Sequence, residues 1–244
     1  MNTKTLSAVA TLAALSISTL ASAQHADLLV IRDDAGNLVT GQYDFDDGSV
    51  VNTNTRVYEG EFDAFGTTDE PGFNALSGSN IPVGYQALSG NTAVSFDARS
   101  FSIGETSANL FYWDGQGEVN FGAAANTLTI SKAPSSIFSA TLDGSDSAVE
   151  GFDIDTTSSD GFMHKHIDAG LSDISASAHG FYMWSLSLEH GADTADPIYF
   201  IHGFGLEDEE AHEMAIDWAN ANLVPAPGSV ALLLGLPALW TRRR

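Results

Sequence analysis

His164-Lys165-His166 is the sharpest chemical signal in the chain. On a strand, side chains alternate between faces, so this spacing sets both imidazoles side by side. Neutral imidazole is a common ligand for Zn²⁺ or Cu²⁺. Asp168 continues the same parity, and His202 lies in a later apolar run as a candidate third imidazole. The competing reading is a set of ordinary hydrogen-bonded histidines, since the ligand spacing of known zinc motifs is absent. His212-Glu213 has the opening of a His-Glu-x-x-His zinc site, but Ile216 stands where the second His belongs, so His212 reads as a helix-surface residue. His25 would need to be the first residue of a processed chain to chelate copper through its amine, and Gln24 precedes it.

Two acidic clusters offer oxygen ligands. They are Asp44, Asp46 and Asp47 in one turn-rich stretch, and Asp153 with Asp155 in another. Calcium takes 6–8 oxygens, which such clusters partly supply, but neither matches an EF-hand loop. Solvated turn acids are the plainer reading. Trp113, after Phe111 and Tyr112, is a candidate for stacking on an extracellular polysaccharide, though aromatics in such a strand are more often core. No nucleophile motif is present. The chain has no cysteine, no Gly-x-Ser-x-Gly elbow and no phosphate-cradling loop. Carboxylates are too numerous for one pair to be singled out for glycosidase chemistry. These absences favour a non-catalytic role.

The elements around these residues read as β. Leu28–Ile31 and Leu38–Thr40 flank Asp33, Asp34, Gly36 and Asn37, the composition of a hairpin. Further strands are expected at 55–62, 92–98, 109–113, 126–131, 136–141, 180–188 and 197–202. Tyr182, Trp184, Leu186 and Leu188 alternate with Met183, Ser185 and Ser187, which predicts a half-buried strand. Turn residues recur roughly every ten positions, as in an antiparallel β-sandwich, jelly-roll-like or similar. Residues 143–160 read as the most loop-like segment. One amphipathic helix is expected over 207–222, with Ala211, Met214, Ala215, Trp218 and Ala221 on its apolar face and acids at its start.

Both ends carry export signals. Residues 1–23 have one early cation, Lys4, then an apolar run and Ala21-Ser22-Ala23, the layout of a signal peptide cut after Ala23. The run is too short and too broken by Ser and Thr for the ~20 residues of a spanning helix. At the other end come Val224-Pro225-Ala226-Pro227-Gly228, an apolar stretch over 229–240, and Arg242, Arg243 and Arg244. That stretch is short for a ~30 Å hydrocarbon core, so it reads as a transient transmembrane hold with a cytoplasmic basic stop. The last 20 or so residues resemble the PEP-CTERM sorting signal of Gram-negative bacteria, in a Val-Pro-Ala-Pro-Gly form with a poly-Arg end as in planctomycete-like genomes. Ala226 stands where the family motif has Glu. The resemblance implies passage through secretion machinery, processing of residues 224–244 by an exosortase-type enzyme, and delivery to the cell surface or extracellular matrix.

Removing both ends leaves 24–223, one domain's length. Its five cationic side chains face all 32 Asp and Glu, a formal charge of −27. A surface this acidic repels nucleic acid and anionic lipid. Without cysteines, stability rests on packing, hydrogen bonds or ions, with Ca²⁺ or a transition metal as the candidate cofactor. The sequence therefore predicts an exported, surface-sorted, non-catalytic β-sandwich, with a metal-binding protein or a glycan-binding module as alternatives.

Overall fold

Short runs of β-branched and aromatic residues, several of them stopped by Gly, Asn or Asp, fold into a mostly β structure, 46% strand against 9% helix. The computed structural model describes residues 26–44, 47–175 and 178–225. In chain order its strands are β1 (Asp27–Asp33), β2 (Leu38–Asp44), β3 (Ser49–Asn52), β4 (Val57–Glu61), β5 (Thr67–Thr68), β6 (Phe73–Ala75), β7 (Tyr85–Gln86), β8 (Ala93–Ala98), β9 (Phe101–Ile103) and β10 (Thr106–Ala108). There follow β11 (Leu110–Trp113), β12 (Gly122–Ala123), β13 (Leu128–Ser131), β14 (Ser139–Leu142), β15 (Val149–Thr156), β16 (Met163–Lys165), β17 (Asp168–Leu171), β18 (Gly180–His190), β19 (Asp193–Thr194) and β20 (Ile198–Phe204). The helix α1 spans Glu209–Asn222.

The expected hairpin is present as β1 paired antiparallel with β2, Val30 opposite Thr40. A first sheet runs β16-β6-β1-β2-β3 and a second runs β12-β11-β18-β20-β4, with β8 and β15 joined to it through β18. A small third sheet runs β14-β13-β17-β5. Pairing is antiparallel except where β6 meets β1 and β4 meets β20. The segment 143–160, read as loop, contains the eight-residue strand β15. Its polar alternation and two register shifts against β8 hid it.

The main core fills the space between the sheets. Leu28 and Val30 of β1, Phe96 of β8, Leu128 of β13, and Trp184 and Leu188 of β18 all belong to it. A second core lies on the far side of β18 and β20, where Phe111, Phe181, Met183 and Ile201 meet α1. This corrects the half-buried reading of β18. Both its faces are covered, and Ser185 and Ser187 are buried with the aromatics. Each fully buried Leu or Phe contributes about 1.5–3 kcal/mol relative to exposure, so β18 anchors two apolar layers at once.

The helix starts where Asp208 accepts a hydrogen bond from the Ala211 N–H, an N-cap reinforced by Glu209 and Glu210 in the first turn. Its buried face is Ala211, Ala215 and Ala219, one turn apart, which lets the helix lie close on the sheet. Trp218 packs there too, whereas Met214 is exposed and so is Ala221, so the face is rotated from the expected one.

Candidate metal centre

The first sheet places three short segments side by side. In β1, Leu28 and Val30 point to the main core, while Leu29 and Ile31 form a small cluster on the opposite face. Asp27 shares the parity of Leu29 and so belongs to that outer face. In β6, Phe73 and Ala75 point inward, which puts Asn74 outward. In β16, Met163 points inward and His164, directly across from Asn74, points outward. His166 follows the end of β16, with Ile167 in the core beyond it.

These side chains converge. His164 Nε2 lies 3.1 Å from His166 Nε2 and 3.5 Å from Asp27 Oδ2. The donor atoms of Asp27, His164 and His166 all lie within 4.8 Å of one another. Zinc–nitrogen bonds of 2.0–2.1 Å give a tetrahedral edge of about 3.3 Å, and the two shortest separations bracket that value. His166 Nδ1 is 2.9 Å from the Asp69 carbonyl oxygen. A carbonyl only accepts, so Nδ1 carries the proton and a neutral His166 presents a lone pair at Nε2. Metal-binding histidines are oriented in this way by their second nitrogen.

The Asp27 carboxylate is held from beneath. Oδ1 accepts from the Gly72 N–H at 2.9 Å and Oδ2 from the Asn74 amide at 2.5 Å. Its side chain is 7% exposed, and among the described residues its ion-pair partner is His164. Glu70 adds a second carboxylate, 3.7 Å from His166 Nδ1, and it also accepts from the Gly72 N–H. Burial raises the Glu70 pKa, with His166 opposing the rise and Asp27 adding to it. Glycine is required at 72, because a Cβ there would sit 2.7 Å from the His166 ring and 2.9 Å from Asp27 Oδ1. Two imidazoles and a desolvated carboxylate suit Zn²⁺, Cu²⁺ or another divalent d-block ion.

The other candidate residues fall elsewhere. Asp168 does not continue the His164 face: it opens β17, which pairs with β13 and β5 in the third sheet. It is exposed and lines, with Glu61, Asp63 and Asp69, an open depression of about 340 Å³. His202 does not join the cluster. It is 1% exposed on β20, against Trp184 at 4.7 Å and Phe62 at 5.3 Å between ring centres. Neither of its ring nitrogens has a hydrogen-bond partner. Burial, with a smaller push from His212, drives its pKa down to about 3, so it is a neutral core residue. His190 is the satisfied counterpart, bonded to the Ser89 N–H and the Ala93 carbonyl.

His212 is not a surface residue. Its Nε2 meets the Ile201 carbonyl at 3.0 Å and its Nδ1 meets Glu61 at 3.0 Å, docking α1 on the sheet. Burial alone would lower its pKa, but Glu61, the Ile201 carbonyl and Glu59 together raise it. Asp44, buried at the end of β2, accepts from the Asp47 N–H in a local turn, and Asp46 lies outside the described residues. Asp153 and Asp155 lie along β15. Among the described residues neither acidic set gathers three ligand atoms. Trp113 is 3% exposed and stacks on Phe181, so it has no face to offer a sugar. His25, the signal peptide and 226–244, including Ala226, Pro227, Gly228 and the three arginines, lie outside the described residues. Among the described residues no helix is long and apolar enough to cross a membrane.

Sequence spacing picked out His164 and His166 but missed Asp27, Glu70, Gly72 and Asn74. Asp27 directly before the apolar run 28–31 was the one available sign, a carboxylate drawn into a strand that is otherwise buried. No known protein family matches the chain, and no curated protein or solved structure matches it either.

Proposed function

We propose that this chain is an exported, surface-delivered β-sandwich protein that binds a divalent transition metal at Asp27, His164 and His166, in a binding rather than a catalytic role. The observation that carries the metal reading is the 3.1 Å approach of the two Nε2 atoms with His166 fixed by the Asp69 carbonyl. Export and surface delivery are supported by the leader over 1–23 and by the PEP-CTERM-like signal over 224–244. That signal makes an exosortase-type enzyme the processing partner.

The test is metal content. Full-length protein purified without chelator and dialysed against Zn²⁺ should hold one ion per chain by elemental analysis. The His164→Ala, His166→Ala double variant should hold none while keeping the β-type circular dichroism of the parent. Equal zinc in parent and double variant would overturn the assignment.

A further inference from the structure

We infer that the ion at this site is a structural staple, fastening the start of β1 to the edge strand β16 across β6, the strand between them. The inference rests on the metal-binding reading of the same residues and gives the ion its role.

The elements joined there are short and make few pairings. β16 is three residues long, lies at the sheet edge and pairs with β6. β6 is also three residues long, and its parallel register with β1 consists of Leu28 opposite Phe73 and Leu29 opposite Asn74. Short edge pairings open locally at low free-energy cost. Asp27 is the first residue of β1, so whatever holds its carboxylate holds the entry of the chain into the sheet. His164 and His166 bracket the end of β16 in the same way.

The electrostatics point the same way. Asp27 and Glu70 share one N–H donor, that of Gly72. Among the described residues their ion-pair partners are His164 and His166, with no Lys or Arg. Arg32, Arg56 and Arg99 are engaged elsewhere, by Asp193, Asp196 and Asp97. Two carboxylates and two imidazoles converge within reach of one ion, and a divalent cation would bind them at the point where β1, β6 and β16 meet. The chain has no cysteine with which to make the same link covalently.

The experiment is hydrogen–deuterium exchange on the full-length protein, chelator-treated and then with saturating Zn²⁺, with zinc uptake followed in parallel by native mass spectrometry. Exchange over 27–33 and 163–166 should slow by about tenfold or more when zinc binds, while 128–142 in the third sheet stays unchanged. Asp27→Asn, which keeps an acceptor for Gly72, should weaken zinc binding by about 10–100-fold and lose the protection. The unchanged exchange of 128–142 verifies that this variant is folded. Absence of zinc uptake would refute the metal reading itself. Zinc bound one to one with no slowing at 27–33 and 163–166, or with equal slowing throughout the chain, would overturn the staple while leaving the metal site standing.

Discussion

His202 gives the structure its most quantitative test. The perturbation is His202→Leu, an apolar side chain of similar bulk in the same aromatic pocket of Phe62, Trp184 and Phe200. In the folded protein His202 titrates at about 3, against an ordinary value of 6.5. The unfolded chain therefore takes up a proton, between those two values, that the folded chain refuses. Stability must rise with pH across that window and fall as pH drops through it. Over the whole window the linkage amounts to about 5 kcal/mol. Between pH 7 and pH 5 it amounts to about 2 kcal/mol, a sizeable fraction of the 5–15 kcal/mol typical of a folded domain.

The assay is urea unfolding of wild type and His202→Leu at a series of pH values from 7 to 5. Subtracting the two curves removes every other titrating group. His212 is the most important of those, because it works in the opposite direction. Its folded pKa is raised, so its contribution is fully present below the unfolded value and is lost as pH rises through the folded one. The expected result is that wild type loses about 2 kcal/mol more than the variant over this range. An offset at pH 7 is immaterial, since it reports packing. Parallel pH profiles would refute the reasoning, because they would mean that His202 has a proton partner or is not desolvated.

Further outcomes follow from other sites. Gly60→Ala should destabilise by about 1–3 kcal/mol by chemical denaturation, since its Cβ would lie 2.5 Å from His202 Nε2 in the main core. Asp208→Ala should cost about 1 kcal/mol by removing the cap on α1, and a urea midpoint unchanged from wild type would contradict that role. Added NaCl should raise the melting temperature of residues 24–223, formally −27, by screening. CaCl₂ at matched ionic strength should do no more, because among the described residues neither the Asp44 nor the Asp153 set gathers three ligand atoms; a higher midpoint in calcium would restore the calcium reading. Intact mass from the native host should correspond to a start at Gln24 and loss of the C-terminal arginines; a retained tail would count against the sorting signal.

Local pattern carried most of the fold. Hydrophobic alternation located β18, β20 and α1 within two residues of their observed ends, because each is set by its own apolar face. β15 escaped because its residues are mostly acidic and small, and it is a strand through its pairing with β8. The reading of Asp168 failed for a related reason. Parity holds along one strand, and the chain leaves the first sheet between His166 and Asp168. His202 looked like a ligand from its residue type alone, and only the surrounding Phe62, Trp184 and Gly60 reveal it as a core residue. Asp27 showed only as a carboxylate abutting the apolar run 28–31, and Glu70 not at all, since their relation to His164 and His166 exists only through the pairing of β1 with β6 and of β6 with β16.

An ion can do for this chain what its composition prevents cysteine from doing. A disulfide stabilises a domain by about 2–4 kcal/mol. A ligand that binds the native state alone contributes RT ln(1 + [L]/Kd), about 2.7 kcal/mol at a hundredfold excess over Kd. The two are equal in scale but differ in how they act. A disulfide limits the unfolded chain wherever it goes, whereas the ion acts only while Asp27, His164 and His166 are held together by β1, β6 and β16. An acidic chain would gain doubly from that arrangement, because a bound cation would also offset the repulsion between Asp27 and Glu70. Stability would then track the concentration of the ion, high where it exceeds Kd many times over and lower where it is scarce.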